Sequence, residues 1–315
     1  MLPSISICIP AYKRTDYIKR LLDSVSIQTY KNFEVIVKDD SPDNSIEALC
    51  ASYASILPIQ YFKNQRNLNT PENWNEATRK SSFDWIKLMH DDDWFSDKDS
   101  LLRFAEAVEK NPGVDFFFSA YTNVYAGNDH CQPMFLSPFW ESALKQNAEI
   151  LISRNVIGPP SVTLCKRNSI EYDRTMKYVV DIDFYCRYMQ QSSWCYLNQS
   201  LINVGINEAQ VTKYTFGVAE VQLKESLLML EKKNPKIFNN VLVYDGWWRM
   251  LRNFKIKKFS DIHAIGYSER LPYKLQQIIF LQSFVPQFML KVGVFSKLSM
   301  FVAYIISRIS SPQKN

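Results

Sequence analysis

An α/β fold built on a mostly parallel sheet is what this sequence predicts, and three observations carry the prediction. Between Ile5 and Ser119, short β-branched and aromatic runs alternate with stretches of helical spacing, the pattern of strands joined by crossover helices. Polar clusters follow the carboxyl ends of those strands, the rim at which open parallel sheets hold ligands. The composition is ordinary for a globular chain: 315 residues, 46% hydrophobic and 22% charged, which excludes a disordered protein. With only 8 Gly, collagen-like or Gly-rich sequence is excluded and a Gly-lined phosphate loop is disfavoured.

The elements follow in order. Ile5-Ser6-Ile7-Cys8-Ile9 reads as a strand ending at Pro10. Asp16 to Gln28 carries Ile18, Leu21, Leu22 and Val25 at helical spacing, with Thr15 or Asp16 as a cap. Phe33 to Val37 is a second strand, closed by the turn residues Asp39 to Asn44. Ile46 to Tyr53 is a short helix, Ile59 to Phe62 a third strand, and Asn73 to Lys80 a helix. Trp85 to Met89 is a fourth strand that runs into Asp91-Asp92-Asp93, and Leu101 to Glu109 is a helix before a fifth strand, Val114 to Ser119. Four loops therefore converge on one rim: Pro10 to Arg14, Asp39-Asp40, Lys63 to Asn67, and the aspartate triplet.

The middle of the chain is less regular, with a strand at Val162 to Cys165, a helix at Asp183 to Gln190 and an extended run from Trp194 to Val204. Beyond about Phe216 the pattern turns helical, Val221 to Glu231 and Val241 to Phe254 being the clearest stretches. Charge divides the same way. Residues 217–315 hold 15 Lys and Arg against 6 Asp and Glu, and the remainder holds 22 against 26, so a net charge of +5 separates into +9 behind and −4 in front. The tail from Leu271 is rich in Ile, Leu, Phe, Val and Met, is broken by Pro286, Lys291 and Lys297, and has no acidic residue after Glu269. It lacks the run of about 18 apolar residues a spanning helix needs. Amphipathic helices lying on an anionic membrane surface fit better, and a packed subdomain or the face of a homodimer is the competing use. Nucleic acid is not expected, because the basic residues are interleaved with long aliphatics rather than gathered with exposed aromatics. The start has no basic segment before its short apolar run, so no signal peptide is expected. The six cysteines form no C-x-x-C pair, which points to free thiols in a reducing compartment.

Three carboxylates in succession at a strand end raise one another's pKa unless a cation is present. If the extended chain continues, Asp91 and Asp93 point one way and Asp92 the other. Such a cluster suits a hard divalent ion, Mg2+ or Mn2+, shared with substrate phosphate oxygens. A solvated turn before the helix near Asp97 or Asp99 is the plainer reading. His90, His130 and His263 are scattered and are not expected to bind metal.

Ser4 to Arg14, Glu34 to Ser41, Asn67-Leu68-Asn69, Asn73-Trp74-Asn75 and His90 to Trp94 together resemble, in order, the motifs of glycosyltransferase family 2, over roughly residues 3 to 215. The resemblance implies a GT-A fold, Rossmann-like with helices on both faces of the sheet, and an inverting, nucleotide-sugar-dependent, metal-dependent enzyme, a hexosyl- or deoxyhexosyltransferase. It implies that Pro10, Tyr12 and Arg14 line the nucleotide site, that Asp39 accepts a hydrogen bond from the base, and that Arg66 or Asn67 touches nucleotide or diphosphate. Asp92 and Asp93 would match the end of the family's D-x-D, with Asp93 the metal ligand and Asp92 near ribose or sugar. Many relatives carry Asp where this chain has His90, so the register is open by one residue and Asp91 stays a candidate. Val180 to Arg187 is similar to the acidic pair that precedes a helix in the family, with Val180 in place of an acid. Asp181 would then be the catalytic base, and Asp183 would cap the helix or orient its neighbours. The stretch Asn207 to Thr212 lacks the His that relatives often place near the diphosphate.

The chemistry points the same way without the resemblance. A departing nucleoside diphosphate gains negative charge that a metal stabilises, and one base must take the acceptor proton. Glycoside hydrolysis instead needs a carboxyl pair with a proton donor. The expected organisation is a catalytic domain over residues 1–215 and a helical region with a basic tail over 216–315. The expected partners are a nucleotide-sugar donor, a lipid-linked oligosaccharide acceptor of surface-polysaccharide or O-antigen type, and the inner face of a bacterial plasma membrane. The alternative is a non-catalytic nucleotide-binding scaffold.

Overall fold

The computed structural model describes residues 1–127, 130–207 and 215–309. It divides into two compact units, Met1–Glu141 with Val156–Gln210 and Ser142–Asn155 with Val211–Asn315.

In the first unit, β1 (Ile5–Ala11) and β2 (Phe33–Asp39) are buried along their whole length. Strands covered on both faces read as continuous apolar runs, which is why these two were the plainest in the sequence. β1 pairs in parallel with β2 and with β4 (Trp85–Leu88), and β2 pairs in parallel with β3 (Ile59–Lys63). The connecting helices are α1 (Thr15–Ser26), α2 (Ser45–Tyr53) and α3 (Glu72–Arg79). α1 buries Ile18, Leu21, Leu22 and Val25, a single apolar stripe. α3 instead buries Asn73 and Asn75 and satisfies both. Asn73 Nδ2 donates to the Lys38 carbonyl (3.1 Å), and Asn75 exchanges hydrogen bonds with the Tyr172 backbone (2.9 Å each way). Polar side chains thus lock α3 to the carboxyl ends of the strands, where the loops of interest begin.

Beyond β4 the sheet departs from simple alternation. Its order is β3, β2, β1, β4, then β8 (Thr163–Lys166), β6 (Phe116–Tyr125), β9 (Trp194–Ile206) and β5 (Trp94–Phe95), with β7 (Cys131–Met134) on β6. α4 (Ser100–Lys110) leads into β6 (Phe116–Tyr125), which runs past Ser119 and takes the hairpin partner β7 (Cys131–Met134). β8 (Thr163–Lys166) inserts antiparallel between β4 and β6. The two-residue β5 (Trp94–Phe95) pairs antiparallel with β9 (Trp194–Ile206), Trp94 opposite Asn203. This pairing carries the far end of β9 to the aspartate triplet. The long β9 also pairs in parallel with β6 through a bulge, and α6 (Val180–Met189) precedes it. A helix, α5 (Pro138–Gln146), spans the boundary between the two sequence segments at Glu141.

The second unit is helical: α7 (Ala219–Glu231), α8 (Val241–Asn253), α9 (Phe259–Ala264), α10 (Tyr273–Ser283), α11 (Gln287–Lys291) and α12 (Gly293–Ile309). Tyr244, Trp247 and Trp248 of α8 fill its core. Gly246 lets α8 approach closely, since a Cβ there would overlap Ser153. Among the described residues no helix is long and apolar enough to cross a membrane.

Candidate active site

The aspartate triplet is a turn. The Asp93 N–H donates to the His90 carbonyl (3.1 Å), so the chain reverses over Asp91 and Asp92 before β5. The expectation that Asp91 and Asp93 share one face of an extended strand therefore fails: β4 ends at Leu88, Asp93 turns to Gly205, and Arg14 spans Asp91 and Asp92, its Nη1 3.7 Å from Asp92 Oδ2.

Asp91 faces α1. Arg14, just before α1, grips it with both ends of the guanidinium, Nη2 to Oδ1 at 2.8 Å and Nε to Oδ2 at 3.0 Å. This bidentate fork fixes the β1–α1 loop against the triplet. Lys13 turns that loop through a left-handed conformation (φ 64°), with its N–H on Ser41 Oγ (2.7 Å). Asp92 accepts from Asn207 Nδ2 (3.0 Å), and its carbonyl accepts from Arg20 Nη2 (2.7 Å). The Arg20 guanidinium lies 3.7 Å from the centre of the Trp94 ring. Burial lowers the Arg20 pKa, and Asp92, Asp93 and Asp91 oppose that fall. Asp93 Oδ1 accepts from the Gly205 N–H (3.2 Å), while Oδ2 is buried with no partner.

His90 completes the group. Its N–H donates to Ser161 Oγ (2.9 Å), its ring leans on Trp74 (4.5 Å between centres), and Nε2 is buried without a partner. One ligand atom each from His90, Asp92 and Asp93 lie within 4.8 Å of one another. His90 stands alone in the sequence and is not expected there to bind metal, but the structure brings it into the cluster. Beneath, Lys87 is fully buried and donates to the carbonyls of Ser161 and Thr163, which sets Ser161 under His90 and Asp93.

The electrostatics follow from burial. It raises Asp93 well above the ordinary carboxylate range, reinforced by Asp92. It raises Asp91 to about 7 against the pull of Arg14. It lowers His90 to about 4, leaving a neutral imidazole. Two unpartnered buried acceptors, one on a carboxylate and one on a neutral imidazole, beside a second carboxylate are the donor set a divalent cation takes. The residues present fit Mg2+ or Mn2+ by that test.

The other predicted residues divide. Pro10 is buried in β1, and Tyr12 follows at the rim, 40% exposed with Lys13 Nζ 4.9 Å from its ring centre. Asp39 lies opposite Ala11 in the β1–β2 register, so it shares the rim. It is fully buried: Oδ2 accepts from Tyr61 OH (2.7 Å) and Lys63 Nζ (3.3 Å), and Oδ1 accepts from the Ser41 N–H (2.7 Å). Asp40 holds the next loop through Asn64, Leu68 and Asn69. Asn67 spends its side-chain oxygen on the Asn69 N–H (2.8 Å). Exposed Arg66 lines an open cavity of 540 Å³ with Lys38, Lys63, Asn64, Gln65 and Leu68, apart from the triplet's own contacts. A smaller cavity of 130 Å³ around Asn75, Cys165 and Phe184 contains none of the predicted site residues.

Asp181 stands half-buried in the first turn of α6. Its charge lies near enough to Tyr172, Tyr178 and Tyr185 to add to the rise that burial causes in their pKa values. A chain of rings links its helix to the triplet: Phe184 on Tyr172 (4.2 Å), Tyr172 on Trp74 (5.2 Å), and Trp74 on His90. Asp183 does not cap α6; Oδ2 pairs with Arg187 (2.7 Å) one turn on, and Oδ1 is buried unpartnered. Of the stretch Asn207 to Thr212, residues 208–212 lie outside the described residues. Arg20, Ser161, Gly205 and Asn207 are the residues the sequence reading did not single out for the triplet. Each reaches the triplet or the adjoining His90 across 70 or more positions of chain, which no local pattern signals.

With this geometry in place, known proteins offer a comparison. The model of glycosyl transferase family 2 matches residues 6–172. An uncharacterised glycosyltransferase of Haemophilus influenzae is 26% identical over 196 residues, 60% of this chain and 63% of that protein, so the chain spans under two thirds of its length. The amylovoran biosynthesis glycosyltransferase AmsB of Erwinia amylovora is 28% identical over 143 residues, 44% of this chain and 48% of that one. Among solved structures, the mannosyltransferase PcManGT of Pyrobaculum calidifontis, in complex with GDP-Man and Mn2+, superposes with a TM-score of 0.58 at 12% identity, covering 99% of this chain and 89% of that one. The matched motifs run from β1 through the aspartate turn, and the fold is the mixed α/β GT-A sheet flanked by helices: the chain belongs to glycosyltransferase family 2.

Proposed function

We propose that this chain is an inverting, metal-dependent glycosyltransferase that moves a hexosyl or deoxyhexosyl group from a nucleoside-diphosphate sugar to a hydroxyl of a lipid-linked oligosaccharide, in surface-polysaccharide assembly. The observation that carries the reading is the pair of buried, unpartnered acceptors His90 Nε2 and Asp93 Oδ2 beside Asp92. The relation to a polysaccharide biosynthesis enzyme supports the acceptor class, and a fold neighbour that holds GDP-Man and Mn2+ supports the donor and ion classes.

In this reading Asp93, Asp92 and His90 hold Mg2+ or Mn2+, which when bound neutralises the charge gathering on the departing diphosphate. Arg14 keeps Asp91 neutralised and holds the β1–α1 loop, so Pro10 and Tyr12 form one wall of the nucleotide site. Asp39, buried beneath the rim, orients Tyr61, Lys63 and the Ser41 N–H, and through them shapes the base site. Arg66 and Asn67 supply the outer edge near the nucleotide. Asp181 takes the proton of the acceptor hydroxyl as its oxygen bonds to the anomeric carbon. The bond from that carbon to the diphosphate oxygen breaks, the nucleoside diphosphate leaves, and configuration inverts.

The test measures turnover of a panel of UDP-, GDP-, CDP- and dTDP-sugars with Mn2+ on membrane-extracted acceptors. The wild type is expected to consume one donor class, and Asp93→Ala and Asp181→Ala to lose at least about 10²-fold. Undiminished transfer in both variants would overturn the assignment.

A further inference from the structure

We infer that the outer face of α10 to α12 is a docking surface for an anionic lipid bilayer. The argument starts from α12, which is built inside out. Its inward stripe is Ser296, Met300, Ala303 and Ser307. Ser296 Oγ accepts from Trp248 Nε1 (3.2 Å) and from Arg252 Nη1 (3.0 Å), so this stripe of two serines, an alanine and one methionine is the docked one. The outward stripe is Val294, Leu298, Phe301, Val302, Ile305 and Ile309, from 42% to 83% exposed. These positions recur at i, i+4, i+7, i+8, i+11 and i+15, one continuous face of a helix. A helix on a surface that meets only water places these two stripes the other way round.

The neighbouring segment, from the end of α10 into α11, also exposes apolar side chains. Phe280, Phe284 and Phe288 are 60%, 69% and 71% exposed. The Phe280 and Phe284 rings stand edge to face, 4.8 Å between centres.

Charge selects the occupant. Lys291, Lys297 and Arg308 are exposed among these side chains, and no Asp or Glu follows Glu269 in the chain. On the helical wheel Lys297 and Arg308 border the same edge of the apolar stripe. A second copy docked on this face would set like charges against one another, because a two-fold interface repeats the same patch on both sides. An anionic bilayer accepts both features: the phenyl and aliphatic groups enter the headgroup boundary and the cations meet lipid phosphate. With no described helix able to span, the segment lies in the plane of the interface.

The experiment is flotation of the full chain with vesicles of phosphatidylcholine alone and of phosphatidylcholine with an equal part of phosphatidylglycerol. Binding to the anionic vesicles is expected to exceed binding to the neutral ones at least 10-fold and to weaken with salt. A cation near an anionic surface contributes about five-fold. Replacing Lys291, Lys297 and Arg308 by Gln together should therefore abolish most of the preference. Phe284→Ser with Phe288→Ser should lower binding to both vesicle types while leaving the melting temperature unchanged, since both rings are solvent-exposed. Equal binding to both vesicle types, or none, overturns the proposal. So does a dimer in light scattering that the Phe variants dissociate. Flotation needs neither donor nor metal, so its outcome is independent of the chemistry assigned to the first unit.

Discussion

Gly205 is the residue through which β9 touches the aspartate turn, and adding one methyl there gives a calculable perturbation. The ideal Cβ of an alanine would stand 2.4 Å from the Asp92 carbonyl oxygen and 3.2 Å from Arg20 Nη2. Ordinary contact begins near 3.4 Å, so the Asp92 backbone must retreat by about 1 Å. Two effects compete. Gly→Ala at a compatible backbone position stabilises by about 0.4–1 kcal/mol through the unfolded chain. Overpacking against backbone costs about 1–3 kcal/mol, and a main-chain carbonyl in a buried turn cannot rotate aside as a side chain can. The steric cost wins, for a net loss of about 1–2 kcal/mol and a fall in Tm of roughly 3–6 °C. The turn moves with it, and a displacement of about 1 Å in a catalytic group costs on the order of 10² in rate. Differential scanning fluorimetry of Gly205→Ala, with and without Mn2+, measures the first consequence, and the initial rate of donor-sugar turnover measures the second. A Tm at or above wild type together with a full Mn2+ response would refute the reasoning.

Arg20→Lys should not rescue Arg20→Ala. Only the planar guanidinium both stacks on Trp94 and reaches the Asp92 carbonyl, so each variant is expected to lose about 1–3 kcal/mol in urea unfolding. Burial pushes the Cys50 and Cys165 thiols up to about 12, whereas Cys131 is exposed on β7. Ellman's reagent on the native protein should therefore show a fast phase that Cys131→Ser removes. Asp93→Asn should leave the metal-free protein as stable as wild type or more so, because it removes a carboxylate whose ionisation burial opposes. A marked drop in its metal-free Tm would contradict that electrostatic picture.

Much of the frame was legible because burial on both faces leaves a continuous record: Ile5 to Ile9 and Phe33 to Val37 could be little else than inner strands. β5 and β7 left no such record, two residues being too few to display a period and β7 being an exposed run that holds Pro133; β8 was legible as Val162 to Cys165, but its antiparallel direction was not. The antiparallel entry of β8 is set by Lys87 holding the Ser161 and Thr163 carbonyls from below, a contact 74 to 76 residues long in sequence. The triplet's identity was visible but its shape was not. A strand reading put Asp91 and Asp93 on one face, whereas the turn gives Asp91 to Arg14 and Asp93 to Gly205. His90 was set aside as a lone imidazole, and only the folded chain shows Nε2 buried beside two carboxylates.

The central claim is that His90, Asp92 and Asp93 take a divalent ion together with a nucleoside diphosphate. Thermal shift of the full chain tests it most directly, with UDP, GDP, CDP and dTDP each offered with Mn2+, with EDTA, and to Asp93→Asn. A ligand at about 100 times its Kd stabilises the native state by about 2.7 kcal/mol. One nucleotide should therefore raise the wild-type Tm by several degrees with Mn2+, and that rise should vanish with EDTA and in Asp93→Asn. A rise of equal size in EDTA or in Asp93→Asn would mean that the aspartate turn does not bind the ion.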